Sequence, residues 1–178
     1  LLAKEWSTAA LRAVLDDAAP AFDEALWSQL VELGWTAILG DPGDPGDRGD
    51  PGDPELCVLG ESLGRALTLV PVGSAAAAVS LVGPERPERL VVLVEGAPAT
   101  VADGVLAGSW PSVPFGAVAD AFVLPVRDEA GAFSIVLVRA DDVERSALRA
   151  LDRSPDSTLD LSMPASAAET IAVGGDAE

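Results

Sequence analysis

The sequence contains no histidine and no tyrosine, a single cysteine, Cys57, and only 11 lysines and arginines against 29 aspartates and glutamates. Without histidine there is no Ser-His or Cys-His nucleophile pair, the commonest general base is missing, and most zinc sites are excluded. One cysteine excludes an internal disulfide. Chemistry must therefore come from carboxylates, hydroxyls, Lys or Arg, backbone groups or a bound cofactor. The formal net charge of −18 disfavours nucleic acid and anionic membranes as partners, because both reward clustered Lys and Arg. It reads as a solubilising acidic surface rather than a site for a cationic partner. No apolar run approaches the roughly 20 residues of a membrane span. The opening LLAKEWSTAALRAVL patterns as an amphipathic helix, without the basic start and cleavage site of a signal peptide, so a cytoplasmic location is expected.

What is present suffices for a core. Hydrophobic residues make up 49% of 178 positions, enough for one large or two small domains. Ser7 or Thr8 can cap a first helix running to about Asp17, with Leu11, Val14 and Leu15 inward, and Pro20 breaks it. Asp23 caps a second helix whose inward face is Leu26, Trp27, Leu30 and Leu33, and Gly34 stands where a left-handed cap belongs. Residues 40–54, GDPGDPGDRGDPGDP, place glycine at every third position, but so few triplets inside a globular chain cannot form a triple helix. The stretch is expected to be a flexible acidic loop, and its Arg48-Gly49-Asp50 carries little weight as an adhesion motif. Residues 55–83 then read as two helices. Asp53 and Pro54 start the first, with Leu56, Leu59, Leu63 and Leu67 at helical spacing and Gly60 and Gly64 one turn apart. Pro71 ends it, Ser74 can cap the second, and Gly83-Pro84 closes that one. Cys57, between Leu56 and Val58, is expected to be a small buried hydrophobe, and Glu61 and Arg65 a surface pair.

After the charged linker Pro84-Glu85-Arg86-Pro87-Glu88-Arg89 the pattern shortens to β-type runs. Residues 90–94 form a buried strand. Val101-Ala102 and Val105-Leu106 flank the turn dipeptide Asp103-Gly104. Residues 121–126 and 133–139 flank a hairpin loop with Gly131. Residues 146–151 and 158–163 are weaker strands, and the tail AVGGDAE frays. The fold class is α+β: an N-terminal all-helical domain, residues 1–83, followed by an antiparallel β-barrel or sandwich, residues 84–178.

Trp27-Ser28-Gln29-Leu30-Val31-Glu32-Leu33-Gly34-Trp35 resembles the "W..LAELGW" of acyl-CoA dehydrogenases. Leu59-Gly60-Glu61-Ser62-Leu63-Gly64-Arg65-Ala66 resembles that family's "vleELGRal.p.p" helix. Val101-Ala102-Asp103-Gly104-Val105-Leu106-Ala107-Gly108 is similar to "..dGy.lnG", Ala117-Val118-Ala119-Asp120-Ala121-Phe122-Val123-Leu124 to ".A..AD.fvv", and Leu151-Asp152-Arg153 to "..D.tr". The resemblance covers essentially the whole chain in order. It implies a helical domain and a β-barrel middle domain. Full-length members add a C-terminal helical domain, hold FAD between barrel and bundle, and take the α-proton with a C-terminal glutamate while hydride leaves to the flavin.

Three departures limit what the resemblance implies. The chain stops at Glu178, where the C-terminal domain should begin, so no catalytic residue is assigned. The family's "TEP..GSD" loop after the first barrel strand is replaced by Glu95-Gly96-Ala97-Pro98-Ala99-Thr100. In the family's "lnGqK.wIT" strand a Trp and a Thr lie against the flavin. An ungapped count puts Ser112 and Pro114 there, with Trp110 two residues early and, by strand alternation, on the same face as Ser112. Trp110 and Ser112 are thus the candidate cofactor-binding residues, and a Trp filling the barrel core is the competing reading of Trp110. Ser112 and Ser154-Pro155 read as strand and turn residues rather than nucleophiles, because no base is present. The expected function is the non-catalytic or accessory chain of a heteromeric flavin-dependent acyl-CoA dehydrogenase of bacterial fatty acid or lipid metabolism. Its partner is a catalytic acyl-CoA dehydrogenase chain or a homodimer mate, and FAD sits at a shared interface rather than on this chain alone. The alternatives are an active FAD-dependent acyl-CoA or acyl-carrier dehydrogenase completed by a partner chain, and a scaffold module without an acyl substrate. No metal is expected.

Overall fold

Side-chain capping starts the second helix as its sequence demands: the Asp23 carboxylate accepts the Leu26 N–H at 2.8 Å. The computed structural model describes residues 8–16, 21–39, 54–83 and 90–173. Ser7, Pro20, the acidic loop at 40–53 with Arg48-Gly49-Asp50, the Asp53 cap, the linker 84–89 and the last residues of the tail lie outside the described residues, as do the side chains of Val14 and Leu15. The helices are α1 (Thr8–Asp16), α2 (Glu24–Glu32), α3 (Pro54–Ala66) and α4 (Val72–Val82). The chain divides into two compact units, one of residues 1–89 with 149–155, the other of residues 90–148 with 156–178.

In the first unit Leu26, Trp27 and Leu30 of α2 are buried. Leu33 is not inward as expected: it is 58% exposed, because the helix has ended and the residue caps it. Gly34 takes φ 76°, the left-handed geometry that only glycine adopts freely, and turns the chain into a 3-10 turn, Trp35–Ala37. That turn packs on α2 and on α4. On α4, Val72, Ala75, Ala76, Ala78 and Val82 are buried, as its nearly unbroken apolar composition requires. Ser74 does not cap α4: the helix starts earlier, behind Pro71, and no side chain caps it. α3 is less buried than its leucine spacing suggests. Only Leu59 is fully buried, Leu56 and Leu63 are half-buried, and Leu67, at the helix end with φ 52°, is 63% exposed. Cys57 is exposed, which corrects the expectation of a buried thiol: it sits beside Val58 on the side of α3 away from Leu59. Glu61 and Arg65 form the predicted i,i+4 pair.

The segment 149–155 was expected to begin in a strand at 146–151. The strand is instead Glu144–Ala147, and the chain leaves the sheet after Leu148 and re-enters at Asp156, where Leu148 N–H donates to the Asp156 carbonyl at 2.9 Å. The excursion is an Asx turn. Asp152 Oδ1 accepts the Ser154 N–H at 3.1 Å and its hydroxyl at 2.8 Å, Arg153 takes φ 63°, and Arg153 O accepts the Ala21 N–H at 3.0 Å.

The second unit is a mostly antiparallel sheet of β1 (Val91–Leu93), β2 (Ala99–Ala102), β3 (Val105–Val113), β4 (Ala121–Arg127), β5 (Phe133–Arg139), β6 (Glu144–Ala147), β7 (Ser157–Pro164) and β8 (Glu169–Val173). The spatial order is β6-β7-β3-β2-β4-β5-β8, with β1 also paired to β4. Asp103 (φ 51°) and Gly104 (φ 76°) make the two-residue turn that the dipeptide predicts. β7 alternates as a half-buried strand should, with Ser157, Leu159, Leu161 and Met163 inward. β8 was not anticipated: Glu169–Val173 pairs with β5 at one end of the path, so Ala172 and Val173, the first two residues of the stretch expected to fray, lie in a strand, while the rest of that stretch lies outside the described residues.

β1 and β2 are two halves of one broken strand. Both run parallel to β4, with Leu93 opposite Val123 and Ala99 opposite Val126. Six steps on the broken strand thus span three on β4, so three residues are extruded. Val123 O accepts the Val94 N–H at 2.9 Å, so main-chain groups of Val123 and, two residues on, Pro125 point toward the break. Proline has no N–H, so it leaves no orphan donor there.

The Asx turn carries a pH signature. Hydrogen bonds from the Ser154 N–H, then from the Ser154 hydroxyl, hold the Asp152 carboxyl below its ordinary value of 3.8. Its stabilising contribution is therefore present above 3.8 and is lost as pH falls through the lower folded value. Carboxyl-carbon NMR is expected to give a midpoint below 3.8 for Asp152, rising part of the way back in Ser154→Ala, which keeps the N–H. A midpoint unchanged by Ser154→Ala would contradict this.

Candidate functional site

The site to which the resemblance points is built from the break in the β1–β2 strand and the last half of β3. Gly96 takes φ 117°, a conformation side chains rarely adopt, and lets residues 95–98 loop out. Trp110 reaches this loop from β3: its Nε1–H donates to the Ala97 carbonyl at 3.0 Å, and the residue is 4% exposed. The indole lies over Gly108, two residues earlier on the same face. A Cβ on Gly108 would come within 2.4 Å of Cη2, so only glycine leaves room for the ring. Leu159 and Leu161 of β7, paired with Trp110 and Gly108, complete this apolar layer.

Beyond Trp110 the strand does not alternate as expected. The β3–β7 register shifts between Trp110 and Val113, so Pro111 and Ser112 are both exposed while Trp110 and Val113 are both buried. Trp110 and Ser112 therefore do not share an environment, which corrects the expectation from simple alternation. The bulge falls at Pro111 and Ser112, and Pro111 cannot donate to the ladder. Pro114 is exposed in the turn that follows. Phe115 holds a left-handed φ of 58°, its N–H donating to Asp156 Oδ1 at 3.3 Å. Arg145 Nη1 clamps the turn through the Gly116 and Ala119 carbonyls, both at 3.0 Å. Asp120 Oδ2 accepts the Leu90 N–H at 2.8 Å, and Leu90 O accepts the Asp120 N–H at 2.9 Å, tying the start of β1 to β4. Ser157 Oγ is fully buried without a hydrogen-bond partner, beneath Gly116, where an added Cβ would come within 2.4 Å of it.

A cavity of about 370 Å³ opens beside Gly108, lined by Asp141, Asp142, Glu144, Asp160 and Ser162 among others. Its carboxylates give it a negative field, unsuited to a phosphate or diphosphate. Among the described residues no cluster of His, Cys, Asp and Glu is arranged to hold a metal ion, and no helix is long and apolar enough to cross a membrane.

The helices and the mostly antiparallel eight-stranded sheet define an acyl-CoA dehydrogenase-like fold. The ChsE4–ChsE5 complex from Mycobacterium tuberculosis matches 96% of this chain with a TM-score of 0.69 at 24% identity, over 53% of its own chain. The Tcur3481–Tcur3483 steroid ACAD matches 97% of this chain with a TM-score of 0.69 at 22% identity, over 54% of its own chain. The HsaA monooxygenase from M. tuberculosis matches 90% with a TM-score of 0.56 at 16% identity. This chain spans about half the length of the structures it resembles. No protein-family model and no curated protein sequence matches it.

The residues at this site do not fit a flavin. The Trp110 N–H and the Ala97 carbonyl are engaged with each other, and the indole is buried against its own strand. Pro111 and Pro114 bring no N–H, the Phe115 N–H is held by Asp156, and Arg145 Nη1 is held by two carbonyls. Ser112 offers a hydroxyl and no ring. Sequence reasoning missed the Arg145 clamp, the orphan Ser157 hydroxyl and the carboxylate-lined cavity, because each joins positions far apart in the chain. Pro125 and Gly96 were the readable signals of the broken strand.

The packing of Trp110 on Gly108 is testable by a double-mutant cycle in urea. Trp110→Ala is expected to cost about 3–5 kcal/mol. Gly108→Ala, which forces the ring to shift, is expected to cost about 1–3 kcal/mol. The second cost should shrink when Trp110→Ala is already present, because the new methyl then enters vacated space. Additive costs would contradict the contact.

Proposed function

We propose that this chain is the non-catalytic, accessory member of a heteromeric flavin-dependent acyl-CoA dehydrogenase, working in the bacterial cytoplasm in fatty acid or lipid metabolism. The observation that carries the reading is that Trp110 is buried and bonded to Ala97; by an ungapped count along the resemblance, Ser112 and Pro114 fall where the family presents a Trp and a Thr. The fold is retained while those positions are altered, as expected of a chain kept for assembly. The likeness to ChsE4–ChsE5 and to Tcur3481–Tcur3483, each bearing the names of two chains, supports a partner chain. On this reading the partner is a catalytic acyl-CoA dehydrogenase chain that supplies the base and the hydride-accepting FAD, with this chain at most bordering the cofactor at a shared interface.

The second reading is an active FAD-dependent acyl-CoA or acyl-carrier dehydrogenase completed by a partner chain or a homodimer mate. It is favoured by the match of nearly the whole chain to dehydrogenase structures. A scaffold module without an acyl substrate has no observation of its own in its favour.

Co-expression separates these readings. The chain is expected to co-purify with a long acyl-CoA dehydrogenase-like chain of its source organism, and the complex to carry one FAD per pair of chains. Failure to form any such complex, or one FAD for every chain in it, would contradict the accessory reading.

A further inference from the structure

We infer that Trp110 is a built-in plug that closes this barrel to flavin and stabilises it without one. The inference deepens the accessory reading and rests on the same likeness to flavin-dependent dehydrogenases. It begins with the broken strand. The stretch of β4 at Leu124 and Pro125 has no strand pairing on the side of the break, because β1 ends opposite Val123 and β2 begins opposite Val126. A gap of this kind in a buried sheet leaves main-chain groups to be satisfied and apolar surface to be covered.

On the loop side of the break, Trp110 supplies a donor and covering surface from within the chain. Its Nε1–H satisfies the Ala97 carbonyl of the extruded loop at 3.0 Å. Its ring covers Gly108 and reaches the loop at Gly96, where an added Cβ would stand 3.8 Å from Cδ1. A planar aromatic group is thus held between a glycine and a loop carbonyl, so that neither contact is open to an external ring. The carboxylates of Glu144 and Asp160 lie on the outward face of the sheet, opposite the ring, and there oppose the approach of a diphosphate. Pro111 and Pro114 offer no N–H, which leaves Ser112 as the exposed polar residue between them. Closure is therefore a property of this chain alone and does not depend on what assembles with it.

The test uses the full chain labelled with 5-fluorotryptophan. It has four tryptophans, so four fluorine lines are expected, and Trp110→Phe assigns the one of interest. In excess FAD, with no partner present, the Trp110 line should not shift, gel filtration should remove all flavin, and the thermal midpoint should stay unchanged. Exchange of H2O for D2O should leave the Trp110 line in place, as for a buried ring. Trp110→Phe, which keeps a ring but loses the N–H, should remain folded and equally free of flavin. Saturable uptake of one FAD per chain overturns the inference, and an accompanying shift of the Trp110 line places the failure at the plug itself. A line that moves with D2O also overturns it. Absence of a complex with any dehydrogenase chain would sink the accessory reading and leave this result standing.

Discussion

The β-unit depends on how one interrupted strand is made good. A parallel neighbour runs beside β4 up to Val123 and resumes at Val126, with residues 94–98 passing between. Such a break would leave unpaired groups inside a sheet whose central strand is buried at Ala121, Phe122, Val123, Leu124 and Val126. Three features answer it. Pro125 removes the donor on the open side, Gly96 provides the turn, and Trp110 bonds the loop at Ala97 and covers Gly108. Each has a clear role only in the presence of the others. Losing Trp110 would leave a cavity, a bare glycine and an orphan carbonyl together.

The same arrangement bears on function. A dehydrogenase barrel that presents an aromatic ring and N–H donors outward can receive a flavin. Here the ring is turned inward, two of the strand-end positions are proline, and a cavity beside Gly108 is lined with carboxylates. Among the described residues the buried side-chain polar atom without a partner is the Ser157 hydroxyl, whose burial costs about 1–3 kcal/mol on general grounds. On the proposed reading, the chain keeps what builds the fold and departs where a cofactor would be met.

Much of the fold was legible, for a physical reason. The motifs that carry the family resemblance are turns and caps: Gly34 with its left-handed φ, Asp103-Gly104 in the hairpin, Asp120 locked to Leu90, and Asp152 in its Asx turn. Such positions are dictated by local backbone geometry, so a few residues suffice to reveal them. The site was harder to read because it depends on register. Counting along β3 assumed unbroken alternation, and the bulge at Pro111 and Ser112 separates Trp110 from Ser112. Burial on α3 was also misjudged. Leucine spacing establishes an apolar stripe but not how wide a surface the neighbouring helices cover, so Leu67 and Cys57 are exposed. β8 was missed because Glu169 and Thr170 carry little hydrophobic signal, and its existence depends on β5 alongside it.

The most direct test of this account is the hydrogen exchange of the Trp110 indole N–H, followed by NMR and assigned by Trp110→Phe. The bond to Ala97 and the burial of the ring predict exchange slowed to the rate of barrel opening, with the same protection whether or not FAD is present. Exchange at the rate of a solvent-exposed indole, or protection that appears only when FAD is added, would contradict it.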